Sequence, residues 1–278
     1  MSEALLLPFT YSYMVNAIWV SALVGGTCAL LSAFLMLKGW SLIGDALSHS
    51  VVPGVAGAYL IGIPFSLGAF LSGGLAAFGI LALRHQSHLK EDTIIGIIFT
   101  GFFGVGLFMA SLNPISVDLH VITMGNILAI TPSDTLQLVI IAGVTLTVLL
   151  LKWKTFMVTF FDPIHGQTIG INTGAWTAVF FTLLAAATVA AMQTVGAFLV
   201  VAMVITPGAT AYLLTDRFER LLWIATLLGV ASCAIGAYLS FFLNGATGGI
   251  IVCLQTLAFA LAFLFAPQHG LWASKRRA

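Results

Sequence analysis

The run Gly44-Asp45-Ala46-Leu47-Ser48-His49 sets a carboxylate and an imidazole four positions apart in a long apolar stretch. Lys38 is the nearest charge upstream and Arg84 the next downstream. An Asp at the centre of a membrane-spanning helix costs about 2.5–3.5 kcal/mol on insertion scales, so its retention points to use. Positions i and i+4 share a helix face, so Asp45 and His49 can present one oxygen and one nitrogen ligand together. That pair suits Mn²⁺, Fe²⁺ or Zn²⁺ better than Ca²⁺ or Mg²⁺, which prefer all-oxygen shells. Two ligands make an incomplete, weak site. A transporter needs weak sites because the ion must leave again, and a symmetric partner chain could complete the shell. The competing structural reading makes Asp45 a helix N-cap bonded to the Ser48 amide and His49 a buried core histidine.

Composition decides what surrounds the pair. The chain has 278 residues, 60% hydrophobic and 7% charged, with mean hydropathy +1.11. Soluble domains carry about 25% charged residues. An all-α polytopic membrane protein follows, formed as one transmembrane domain over residues 1–278. A net charge of +1 gives nucleic-acid binding no electrostatic support. Cys28, Cys233 and Cys253 lie far apart in apolar runs, without a CxxC, and read as small packing residues. The N-terminus, Met1 to Asn16, lacks a basic region and does not read as a cleavable signal.

A spanning helix needs about 20 apolar residues. Nine stretches qualify: Tyr13–Leu37, Ser41–Leu60, Pro64–Leu83, Thr93–Leu112, Ile130–Leu151, Gly174–Ala191, Val195–Leu214, Leu221–Leu243 and Gly249–Ala266. Ser41–Leu60 is short, and Gly44, Asp45 and Pro53 predict a broken or unwound passage. With nine spans and an external N-terminus, all ten Lys and Arg fall on the cytoplasmic side. The longest pieces between spans are Asn113–Ala129 outside and Lys152–Thr173 inside. Gly25, Ala29 and Ala33 form a small-residue stripe that permits close helix approach.

GxxxxGK[ST], HExxH and GxSxG are all absent. Apart from Asp45, the acidic residue within a span is Asp134, at the outer end of Ile130–Leu151, so an aspartyl dyad and an enzyme are not expected. His85 and His88 accompany Lys90, Glu91 and Asp92 in what reads as a solvated turn. Asp118 and His120 read as a solvated external loop, and His165 and His269 have no sequence partner. Asp162 can cap a short helix whose first residue is Pro163, with Gly170 and Gly174 punctuating its end. Such a helix, against the inner membrane face, is a docking element or an ordinary connector. Pro207 predicts a kink that frees carbonyls. Met203, one turn before it, reads as packing or as a soft thioether.

Several segments, in order, carry a resemblance. They are Lys38-Gly39 with Ser41-Leu42, the Gly44–His49 run with Pro53-Gly54, and Asp92-Thr93 with Ile95-Gly96. Gly125-Asn126-Ile127-Leu128, Phe161-Asp162-Pro163, Ala191–Gly196 and Ile205-Thr206-Pro207 through Ala211 follow. Over nearly its whole length the chain resembles the membrane permeases of bacterial ABC-type manganese, iron and zinc importers, closest in character to the manganese/iron branch. The resemblance implies an ABC-importer permease fold with eight spans, one below the nine apolar stretches that agree with the charges. It implies an inner-membrane subunit, with no permanently bound cofactor, that imports divalent metal. The implied partners are a cytoplasmic ATPase, an external metal-binding protein, and a second copy or a sister permease, all within lipid. By resemblance Asp45 and His49 line the ion path, and Phe161, Asp162 and Pro163, through Gly170, form the element that docks on the ATPase. The family usually has Ala where this chain has Gly166, which predicts a looser coupling helix. The alternatives are a zinc importer of the same architecture, an ATP-independent carrier or channel, an anchoring subunit in which Asp45 is only structural, and a permease for a larger chelate.

Overall fold

The computed structural model describes residues 2–40, 42–87, 89–112, 130–266 and 270, and within them not the side chains of 2–5, 85, 193–194 and 197–198. Every described element is a helix. They are α1 (Ser2–Thr10), α2 (Ser12–Lys38), α3 (Ile43–Ser50), α4 (Val52–Ile61), α5 (Phe65–Gln86), α6 (Glu91–Leu112) and α7 (Pro132–Leu151). Then follow α8 (Trp153–Phe161), α9 (Pro163–Thr168), α10 (Thr173–Val195), α11 (Ala197–Leu214), α12 (Phe218–Leu243) and α13 (Thr247–Phe265). Among the described residues, seven helices are long and apolar enough to cross a bilayer: α2, α5, α6, α7, α10, α12 and α13. The helix α11 is apolar but shorter. The passage expected over Ser41–Leu60 is the α3–α4 pair, broken as its Gly, Asp and Pro content predicts.

The basic ends of these helices meet at one pole. The Lys38 ammonium and the Arg84 guanidinium lie over the Trp40 ring, 5.9 and 5.0 Å from its centroid. Trp40 packs on Phe160 of α8, next to Lys152 and Lys154 in sequence. Phe34 makes edge contacts with Phe156, Phe160, Phe180 and Phe218, the last beside Arg217. These rings tie α2, α8, α10 and α12 into an aromatic knot at the pole that the lysines and arginines mark as cytoplasmic. At the opposite pole, Phe9 meets Tyr238 and Tyr11 meets Phe241, aromatic pairs of the kind that settle at membrane interfaces.

Between the poles, small residues set the helix spacing. A Cβ added to Gly25 would lie 2.6 Å from the Gly229 carbonyl oxygen, and one added to Gly229 would lie 2.5 Å from the Ala29 Cβ. The α2 stripe is therefore the seat of α12. In lipid, such contact stabilises through van der Waals packing, since the tails are as apolar as the helices. Cys28 and Cys233 are buried in this seam, whereas Cys253 is exposed on α13, so the packing role holds for two of the three thiols. Met203 is fully buried, which leaves it as core.

Candidate metal-transit site

Asp45 is the third residue of α3, in its first turn and not at the N-cap. The N-cap position is Leu42, with no side-chain cap bond. The capping alternative therefore does not hold here. Helical phase brings His49 Nε2 to 3.4 Å from Asp45 Oδ1, with 41% of the Asp45 and 30% of the His49 side chain exposed. The other face of α3, carrying Ile43, Ala46, Leu47 and Ser50, is buried. Gly44 sits so near α11 that an added Cβ would lie 2.7 Å from Val204. The polar pair thus points away from α11, with His49 on the side of α6.

His49 is held edge-on by Phe99 and Phe103, ring centroids 5.3 and 5.5 Å away. These phenylalanines lie halfway along α6, and Val204 lies halfway along α11, so the pair sits near mid-depth. Among the described residues no group of three or more His, Cys, Asp or Glu could hold an ion. The described residues of one chain therefore bring these two donor side chains together on a partly exposed face.

The break behind the pair has a local cause. Pro53 cannot donate to the His49 carbonyl, and its ring crowds that position. Ser72 of α5 donates its hydroxyl to the Ser50 carbonyl at 2.6 Å and closes the end of α3. The α4 helix restarts with Pro53 in its first turn, where the missing N–H is harmless. Pro207 has another outcome, since α11 runs through it. Ser32 of α2 accepts from the Gly208 amide at 3.0 Å and donates to the Ile205 carbonyl at 3.1 Å.

On the cytoplasmic pole, Asp162 caps α9 as expected, accepting from the His165 amide at 2.9 Å, with Pro163 in its first turn. The buried Phe156 and Phe160 anchor α8 beneath it. Phe161 and Ile164 stand 76% and 77% exposed. Gly166 corrects the expectation of a loose helix. It is buried, and an added Cβ would lie 2.9 Å from Thr173 Cγ2 and 3.4 Å from Val158 Cγ1. The glycine lets α9 close tightly onto its neighbours. Gly170, at φ +83, turns the chain out of α9, but Gly174 lies in the first turn of α10 and plays no part in that exit.

Glu91 was expected in a solvated turn. It instead opens α6, pairs with Arg84 at 3.1 Å and accepts the Trp40 indole N–H. Only helical register joined to long-range contact reveals this, so sequence spacing gave no signal. His165 is exposed on α9. The expectations for His88, Asp118, His120, Gly125–Leu128 and His269 lie outside the described residues.

A bundle of apolar, bilayer-length helices with an interrupted passage has the build of a transport permease, and the family match makes it one, a membrane subunit rather than an enzyme. The model of the ABC 3 transport family matches residues 10–266, and the chain belongs to that family. It is 61% identical over 277 residues to the chelated iron transport system membrane protein YfeC of Yersinia pestis, covering 100% of this chain and 94% of that one. It is 45% identical over 270 residues to the manganese transport system membrane protein MntB of Synechocystis sp., covering 97% and 88%. Its fold matches a chain of PsaBC from Streptococcus pneumoniae in complex with Fab at TM-score 0.86 and 31% identity, covering 99% and 100%.

Proposed function

We propose that this chain is the inner-membrane permease of an importer of divalent transition-metal ions, manganese or iron, and that Asp45 and His49 form a transient relay site. The observation that carries the reading is the half-exposed Asp45–His49 pair at mid-depth, 3.4 Å apart, with no third donor beside it among the described residues. A second permease copy or a sister permease facing it would complete the ion's shell and enclose the path. The α9 segment, from Phe161-Asp162-Pro163 to Gly170, is the seat for a cytoplasmic ATPase, and an external binding protein delivers the ion. The relatives named for manganese and chelated iron support that metal class. Zinc fits the same donor pair and is favoured by intrinsic affinity, so the binding protein and the site geometry select.

The test is radiolabelled Mn²⁺ uptake by cells carrying the whole system, with Fe²⁺ and Zn²⁺ as competitors. Asp45→Asn and His49→Ala should each abolish uptake while the folded complex still assembles. Wild-type uptake by both variants would end the relay reading. Stronger competition by Zn²⁺ than by Fe²⁺ would move the assignment to zinc.

A further inference from the structure

Trp40 occupies the only short stretch between the helix that ends at Lys38 and the helix that carries Asp45. Gly39, at φ +76, lets the chain turn back so that the Trp40 amide bonds the Leu35 carbonyl at 2.9 Å. The turn drives the indole inward, where only 3% of the residue stays exposed. One edge of the ring meets Phe160 at 5.6 Å, the penultimate residue of α8. Phe161 and α9, the proposed ATPase seat, follow directly in the chain. The ring also meets Phe181 of α10 at 5.3 Å, and its N–H is bonded to Glu91, which opens α6. Arg84 of α5 lies over the ring and pairs with the same carboxylate. Three residues further along, α3 begins, and α6 carries the two phenylalanines that hold His49.

One side chain therefore touches the segment leading into α9 and is tied to both helices that shape the Asp45–His49 pair. We propose that Trp40 is the positioning residue through which displacement of α9 reaches the pair, with Glu91 as its anchor. The inference rests on the reading of α9 as the ATPase seat and of Asp45–His49 as the relay site. A buried ring packed edge-on transmits displacement because it has no free volume in which to yield. Its charge-assisted N–H bond to Glu91 makes α6 move with it. Without that bond, α8 can shift while α6 and His49 stay behind.

The test uses the permease with its ATPase in liposomes, supplied with its binding protein and Mn²⁺, and reads ions imported per ATP hydrolysed. Trp40→Phe keeps a ring against Phe160 and removes the N–H. Glu91→Ala keeps the whole indole and removes its anchor. Both should lower the ions imported per ATP by about 5-fold or more, the low end of a site-to-site coupling. A merely structural role lowers import and hydrolysis in parallel and leaves the ratio unchanged, which overturns the proposal. If Trp40→Phe does not assemble, Glu91→Ala decides alone. Asp45→Asn serves as the reference. Import by that variant at the wild-type level defeats the relay reading and this inference with it. Loss of import by Asp45→Asn beside unchanged ratios in the two coupling variants defeats this inference alone.

Discussion

Two Pro-Gly steps lie inside the bundle, and they end differently. At Pro53-Gly54 the passage breaks into α3 and α4, whereas at Pro207-Gly208 α11 continues. Each step is served by a serine from a neighbouring helix. Ser72 only donates, to the Ser50 carbonyl, and so terminates a helix. Ser32 donates to Ile205 and accepts from Gly208, and so bridges the gap within one helix. In lipid an unpaired backbone group costs several kcal/mol, so a proline's outcome depends on the partner a neighbour supplies. The break sits on the passage that carries Asp45 and His49, and the bridge sits on the helix that packs against it. A site that must hold and release an ion is thus built on the interrupted passage and backed by the continuous one.

The two glycines give the hardest test of this contrast. An added Cβ at Gly208 would lie 2.4 Å from Ser32 Oγ and 2.6 Å from its carbonyl oxygen; one at Gly54 would lie 2.1 Å from the Gly68 carbonyl oxygen. Gly208→Val and Gly54→Val should each cost about 3 kcal/mol, the upper end of overpacking, because backbone cannot step aside. Thermal unfolding of the purified complex reads this, and wild-type midpoints would show that neither seat is tight.

Pro53→Ala should act on function instead. Alanine restores an N–H toward the His49 carbonyl and favours one continuous helix. Metal uptake should fall while the unfolding midpoint holds or rises. Full uptake in a variant with a demonstrably straightened passage would remove the break from the mechanism.

The serines should show the smallest effects. Ser32→Ala removes both hydrogen bonds that reach α11 and should cost about 1–2 kcal/mol. Ser72→Ala loses one donor and should cost nearer the ~0.6 kcal/mol average for hydrogen bonds between membrane helices. Equal losses would erase the distinction between a bridge and a terminator.

The acid–imidazole pair, the Asp162 cap and the α2 stripe were legible in the sequence because each depends on spacing within one helix. The broken passage was legible too, since Gly44, Asp45 and Pro53 all weaken a span. What the sequence hid depends on partners far along the chain. Ser72 meets a carbonyl 22 residues away and Ser32 an amide 176 away. Trp40 and Glu91 are 51 apart. No periodicity encodes such meetings. Gly166 misled for a related reason, since propensity alone ranks glycine as a helix breaker, while its packing against Thr173 makes it the residue that fits.

The α2–α12 seam also bears on how the molecule is made. Gly25 emerges from the ribosome 204 residues before Gly229, the partner it touches. At about 5–20 residues per second, the first passage waits roughly 10–40 s in the bilayer with its close-contact stripe uncovered. Phe34 waits a similar time for Phe218. A nascent chain that stalls before α12 therefore keeps the Gly25–Ala29 stripe without the helix it seats.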